Sequence, residues 1–248
     1  MHRCSLEEGQ TGRCRARMNI DGTIRPKNYG LLTALALDPV EKKPLKRFQP
    51  GKMILSAGSF GCNLACPFCQ NSDISQSGEG EVQVREFTPA EICRIALKAR
   101  EEDNIGVAYT YNEPLVGYEF VHDTAKLVHE AGMMNVLVTN GEATVNILES
   151  LLPYIDAMNI DLKGFTDDIY RYLGGDLDMV KSFIKRASRD THVEITSLIV
   201  TGMNDSPEDM KRETEWIASV SPEIPLHITR FFPMYHLQDR KPTDTGLM

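Results

Sequence analysis

From Lys52 onward the sequence alternates short apolar runs with longer stretches of helical periodicity, and no other feature limits its fold as tightly. Apolar runs at 53–57, 105–111, 134–139, 157–162, 193–200 and 226–232 read as strands. The segments between them have recognisable helix ends. Thr88-Pro89-Ala90-Glu91 combines an N-cap, a proline suited to the first turn and a glutamate placed to complete a capping box. Ile92, Ile95, Ala96 and Ala99 continue that helix as an apolar stripe. The segment 115–131 carries Phe120, Val121, Thr124 and Val128 on one face and stops at Gly132. Further helices are expected at 144–152, in pieces up to 188, and from Ser206-Pro207 through Val220. Parallel neighbours need a crossover, and right-handed crossovers curl a sheet. Six such units therefore predict an α/β fold, a partial (βα)6 barrel of the TIM type with one open side. The sixth strand has no helix after it. Its outer face is covered by residues 1–51, by a partner chain, or not at all.

Residues 1–51 fit no such alternation and read as an N-terminal appendage to a barrel at 52–235. Within it, residues 18–24 read as a hairpin, because Asp21-Gly22 supplies the positive φ of a two-residue turn. Pro39, Pro44 and Pro50 punctuate a lead-in loop. Residues 236–248 read as a flexible polar tail. The formal charge of −8 makes a poor grip for a phosphate backbone and argues against a nucleic-acid substrate. The densest basic stretch, Lys42, Lys43, Lys46, Arg47 and Lys52, reads as a solvated loop face. No run of about 18 apolar residues is present to span a membrane. The first residues lack an apolar export signal, so a cytoplasmic protein is expected.

Six cysteines occur, at 4, 14, 62, 66, 69 and 93. In a non-secreted chain they read as metal ligands or core thiols rather than disulfides. Cys93 falls inside the helix from Thr88 and reads as core. Cys62, Cys66 and Cys69 follow the first strand directly, in Gly61-Cys62-Asn63-Leu64-Ala65-Cys66-Pro67-Phe68-Cys69-Gln70. Three thiolates can hold three irons of a cubane [4Fe-4S] cluster and leave the fourth open. An open position separates a catalytic metal site from a structural one. The same trio could hold zinc in a non-catalytic interaction module, or be buried thiols. The other strand ends bear on the choice, because active sites of such barrels gather there. They offer Thr110-Tyr111-Asn112-Glu113-Pro114, Thr139-Asn140-Gly141 and Asp161-Leu162-Lys163. The fifth strand carries Glu194, Thr196 and Ser197, and the sixth runs into Arg230. A binding module has no need of this set. Taken singly, Asn112-Glu113 could be a plain turn and Asp161 with Lys163 a mouth ion pair. Cys4, Cys14 and His2 could hold a metal, although too few cysteines remain for a second four-cysteine cluster. His122 and His129 read as surface or core. His227 and Arg230, on or near the last strand, are the candidate catalytic residues.

With an aromatic residue just before the third cysteine, the trio resembles the signature of the radical S-adenosylmethionine (SAM) superfamily. The order of strand-end motifs resembles pyruvate formate-lyase activating enzymes, relatives that fold as a partial (βα)6 barrel. Asp38-Pro39-Val40-Glu41-Lys42-Lys43-Pro44-Leu45, Cys69-Gln70-Asn71 and Tyr111-Asn112-Glu113-Pro114 look like the AmmeMemoRadiSam-system group. The resemblance covers nearly the whole chain. It implies that SAM's amino and carboxylate groups chelate the open iron and that an electron from the reduced cluster breaks the S–C5′ bond. A 5′-deoxyadenosyl radical then takes a hydrogen atom from the substrate. Residue by residue, it implies cluster ligation by Cys62, Cys66 and Cys69, with Phe68 near the adenine and the Gln70 backbone beside it. Asn112-Glu113-Pro114 stands where the family has Gly-Gly-Glu, against the SAM amino group. Asn140, Asp161 and Lys163 would line the methionine and ribose, and Thr196 is counted with them as a cofactor contact. An electron donor of flavodoxin or ferredoxin type is also implied, with a small-molecule or protein substrate.

The sequence departs from the activating enzymes at three places. Val138 replaces an aspartate that helps hold a cation near SAM, and Thr196 replaces a strand-5 arginine. Pro233-Met234-Tyr235-His236 only loosely echoes their Pro-Tyr-His. The expectation is a radical SAM enzyme of unidentified substrate, with glycyl-radical activation as the second reading.

Overall fold

The computed structural model describes residues 4–248 and answers the alternation with a seven-stranded sheet. The chain begins with a hairpin of β1 (Arg17–Ile20) and β2 (Thr23–Pro26), joined through Asp21 and Gly22 at φ 52° and 73°. Next come β3 (Leu31–Leu32), β4 (Ala34–Pro39) and β5 (Met53–Gly58). A single helical turn, α1 (Ser72–Ser75), and β6 (Arg85–Glu86), which pairs with β3, lead to α2 (Pro89–Lys98). Strands and helices then alternate: β7 (Asn104–Tyr109), α3 (Tyr118–Glu130), β8 (Met134–Thr139), α4 (Val145–Leu151) and β9 (Ala157–Asp161). They continue as α5 (Asp167–Leu173), α6 (Leu177–Ala187), β10 (His192–Ile199), α7 (Pro207–Val220) and β11 (Leu226–Arg230).

The six expected strands pair in parallel in the order β5-β7-β8-β9-β10-β11, and β4 adds an antiparallel edge to β5. Among the described residues no ladder joins β4 to β11, so the barrel stays open between them. α2 starts at the expected capping box, with Thr88 and Glu91 each accepting from the other's backbone N–H. The helices lay their apolar faces on the outside of the sheet. Ile92, Phe120, Val128, Leu148 and Phe183 pack there with Val107, Leu137 and Ile195, and Cys93 joins this core as expected.

The inner face is layered, because a strand turns alternate side chains inward. Ile54, Ala108, Val136 and Ala157 form a low apolar layer, closed by Val40 and Leu45. Two residues further along the strands, Thr110, Val138, Asn159, Thr196 and Thr229 line an open cavity. The sheet thus sets an apolar base under a polar interior.

Three expectations are corrected. Residues 1–51 are not an appendage throughout, since β4 is a strand of the main sheet and residues 40–47 close the barrel's base. An antiparallel edge strand needs no crossover helix, so it gives no alternation to read. The basic stretch is not simply a solvated face: Lys43 is 2% exposed, and the backbone N–H groups of Lys46 and Arg47 donate to Glu194 at 2.9 and 2.7 Å. Nor is the whole C-terminal segment loose. Thr243 is buried, its hydroxyl donates to the Ile199 carbonyl at 2.5 Å and its N–H to that of Phe231 at 3.1 Å. Among the described residues, no helix is long and apolar enough to cross a membrane.

Candidate functional site

The cysteine loop leaves β5 at Gly58 and returns through α1, lying over the C-terminal ends of the parallel strands. Close packing and side-chain amides hold it. Gly61, at φ 88°, lies so near residues 14–16 that a Cβ there would meet the Cys14 carbonyl oxygen at 2.5 Å. Asn112 Nδ2 donates to the carbonyls of Phe60 and Gly61, each at 3.1 Å, and its Oδ1 accepts from the Ser59 N–H at 3.0 Å. Asn140 Nδ2 donates to Asn63 Oδ1 at 2.9 Å, and Asn63 Nδ2 to the Glu142 carbonyl at 2.6 Å. Held this way, Cys62, Cys66 and Cys69 all line one cavity of about 460 Å³. Polar hydrogens approach the sulfurs. The Leu64 N–H lies 3.4 Å and Asn140 Nδ2 3.7 Å from Cys62 Sγ, and the Ser75 hydroxyl is 3.0 Å from Cys69 Sγ.

Every residue expected to contact the cofactor lines the same cavity: Phe68, Gln70, Asn112, Glu113, Asn140, Asp161, Lys163 and Thr196. Phe68 is buried and Gln70 exposed at the rim. Glu113 bridges two strand ends. Its Oε1 accepts from the Thr139 hydroxyl at 2.7 Å and the Leu115 N–H at 3.0 Å, and its Oε2 from the Asn140 N–H at 2.8 Å. Burial pushes its carboxyl up to about 7 despite those donors. Lys163 Nζ lies 3.0 Å from Asp161 Oδ2. Burial works against its charge, but Asp161 and the nearby thiols hold it above the usual lysine range. The Thr196 hydroxyl donates to Asn159 Oδ1 at 3.0 Å.

Other candidates lie elsewhere. Of the two catalytic candidates, Arg230 lines the cavity, whereas His227 sits a layer lower with its Nε2 2.6 Å from Glu194 Oε2. Glu194 is itself at the base, holding His192 and the 46–47 backbone. Ser197 faces outward and donates to Glu213 on α7. Cys4 and Cys14 line a separate cavity with Arg13 and Arg17, and His2 lies outside the described residues. His122 Nδ1 is 3.0 Å from Asp123 and its ring meets Tyr154 edge-on, while His129 is exposed. Lys43, read from the sequence as part of a solvated face, is a wall group instead, beside Tyr111 of the strand-end set. Val40, Leu45 and Phe48, interleaved with the lysines, mark a stretch that buries one face, and that signal was available in the sequence.

Residues 58–217, from the end of β5 into α7, match the family model of the radical SAM superfamily. The chain belongs to that superfamily. Radical SAM enzymes use a [4Fe-4S] cluster and SAM, so this chain is an enzyme of that kind, acting on a substrate not yet identified. It is 40% identical over 242 residues to an uncharacterized protein of Methanocaldococcus jannaschii, covering 97% of this chain and 71% of that protein. To the pyruvate formate-lyase-activating enzyme of Clostridium pasteurianum it is 27% identical over 165 residues, 64% of this chain and 67% of that one. Among solved structures it resembles Streptococcus suis SuiB bound to precursor peptide SuiA, with a TM-score of 0.60 at 15% identity over 83% of this chain and 45% of that chain. QueE from Escherichia coli gives 0.51 at 15% identity, over 81% of this chain and 82% of that chain. These two likenesses concern the radical SAM barrel alone.

The donor set fits the cofactor. Burial and then the Glu113 charge push the Cys62 thiol well above its ordinary range, and burial raises that of Cys66 to about 11. A cluster iron has to displace those protons, and its positive charge then compensates the buried thiolates. Three thiols lining one cavity are the donor set that a cubane cluster with one open iron takes.

Proposed function

We propose that Cys62, Cys66 and Cys69 hold three irons of the cluster and that the strand ends around them hold SAM at the fourth. The observation that carries this reading is the convergence of all three sulfurs on a single cavity with Glu113, Asn140, Asp161 and Lys163. When bound, the reduced cluster supplies the electron that splits SAM into methionine and a 5′-deoxyadenosyl radical, the species that abstracts hydrogen from the substrate. The protein's own part is to bind, orient and exclude water. Asn112 fixes the cysteine loop through the Phe60 and Gly61 carbonyls. Glu113 and Asn140 present oxygen atoms to a protonated amine, and Lys163 presents an ammonium to a carboxylate. Asp161 and Thr196 offer acceptors for hydroxyls, and Phe68 and Gln70 flank the base. Reducing equivalents come from a donor of flavodoxin or ferredoxin type, in the cytoplasm.

Similarity to the pyruvate formate-lyase-activating enzyme of Clostridium pasteurianum favours a second reading, glycyl-radical activation of a protein partner. Val138 and Thr196 weigh against it, since both line the cavity where the activating enzymes carry aspartate and arginine. The test is anaerobic reconstitution with iron and sulfide, reduction, and addition of SAM. Deoxyadenosine should form, and Cys66→Ala should lose both the cluster spectrum and the product. Stoichiometric zinc without deoxyadenosine, or retained four-iron content and turnover in Cys66→Ala, would overturn the assignment.

A further inference from the structure

The cavity has a second end. From the cysteine loop its wall runs down past Val138, Asn159 and Thr196 to a floor made by Lys42, Lys43 and Pro44. Three strands fix that floor. Asn159 Nδ2 on β9 donates to the Pro44 carbonyl at 2.9 Å, Glu194 on β10 accepts from the 46–47 backbone, and Asp38 on β4 accepts from Lys43 Nζ at 2.9 Å.

Around Asp38 the charges do not balance. Asp38 accepts from Lys42 at 3.2 Å, Lys43 at 2.9 Å and the Tyr111 hydroxyl at 2.6 Å, so one carboxylate answers two ammonium groups. The Lys42 side chain is 67% exposed and water serves it; that of Lys43 is 2% exposed. An ammonium carries three donors. Lys43 directs one to Asp38 and lies 4.8 Å from the centroid of the Tyr111 ring. That leaves donor capacity on a side chain that lines the cavity. Tyr111 itself is held at φ 73°, a left-handed conformation that a bulky residue adopts only where its surroundings impose it. An ion pair that merely fastened β4 to the following turn would match one cation to one carboxylate. It would have no reason to line the cavity.

We propose that Lys43 is the anion hook for the substrate. The molecule attacked here carries an oxyanion, a carboxylate or a phosphate, which takes the free donors of Lys43 with Lys42 beside it. Its reacting carbon then points up toward the cysteine loop. Lys163, paired with Asp161 and close to the thiols, serves the upper end of the cavity instead. The inference deepens the proposed function and rests on its placement of SAM at that upper end. It also favours a small organic anion over a glycyl segment of a protein, which brings no charge to the floor.

The test titrates inorganic phosphate and, separately, succinate into the anaerobically reconstituted enzyme at fixed ionic strength, with and without SAM, by calorimetry. Saturable one-to-one binding of at least one probe is expected, and the tighter of the two names the headgroup. Lys43→Met should weaken it at least tenfold. Asp38→Asn, which frees Lys43 from its competing carboxylate, should tighten it several-fold. Opposite signs in the two variants are what a purely structural pair would not give. No saturable binding in the wild type, or unchanged or weaker binding in Asp38→Asn, would overturn the proposal. If Lys43→Met fails to fold, Asp38→Asn decides alone. Failure of the wild type to form deoxyadenosine would instead sink the placement of SAM, and it leaves the anion measurement standing.

Discussion

Neighbouring residues on β10 have unrelated tasks because a strand turns them to opposite faces. Thr196 looks into the cavity, while Ser197 looks out and donates to Glu213, which is 2% exposed on α7. Burial raises the Glu213 carboxyl from 4.5 to about 7, against the opposing pull of Ser197. The native state therefore holds this proton more tightly than the unfolded chain does. The stability it contributes is complete below pH 4.5 and disappears as pH climbs through 7. The shift corresponds to about 3 kcal/mol at most. Glu213→Gln should flatten the loss of stability between about pH 5 and pH 8 in urea unfolding; an unaltered slope would contradict the assignment. The same alternation governs what the sequence disclosed. The cysteine trio was legible because its meaning lies in spacing along the chain. Glu194 and His227 read as mouth residues because chain order says nothing about height in the barrel. Counting two residues back from Thr196 and Thr229 places them a layer below the cavity.

At the level of the element, the cysteine loop is shaped by what presses on it. Gly61 has a positive φ, and a Cβ would come within 2.5 Å of the Cys14 oxygen and 2.7 Å of Ala16 Cβ. Neither neighbour is the free end of a flexible side chain. Gly61→Ala should destabilise the fold by about 1–3 kcal/mol, as overpacking does, and lower the iron retained after reconstitution. Wild-type melting together with full iron content would show that the loop tolerates the crowding. Elements were readable in proportion to how locally they are specified. The α2 capping box and the Asp21-Gly22 turn are written in consecutive residues, and both formed as expected. β4 is the sequence Ala-Leu-Ala-Leu-Asp-Pro, and only its antiparallel partner β5 makes it a strand.

For the molecule as a whole, the contacts of residues 31–47 argue for one folding unit rather than a barrel with an appendage. β4 covers the edge of β5 along six residue pairs, and Val40 and Leu45 seal the base. A chain beginning at Lys52 would bare both the edge and the apolar layer, and an uncovered edge strand is a template for aggregation. Such a truncation should give no cooperative thermal transition and should elute as aggregate on gel filtration. A monomeric, cooperatively melting fragment would restore the appendage boundary. The C-terminal segment plays a smaller part, since Thr243 bonds the ends of β10 and β11 and accepts from Arg230 Nε at 2.6 Å.

The floor of the barrel also sets a timetable. Its ties join Pro44 to Asn159 and Lys46 to Glu194, across 115 and 148 residues of chain. A ribosome adds about 5–20 residues per second, so residues 40–47 emerge on the order of ten seconds before the strands that hold them. During synthesis β4 can pair with β5 at once, but the base cannot close until β9 and β10 have arrived. Lys43 and the cysteine loop, which meet in one cavity of the finished enzyme, are therefore brought into relation only once β9 and β10 have been made.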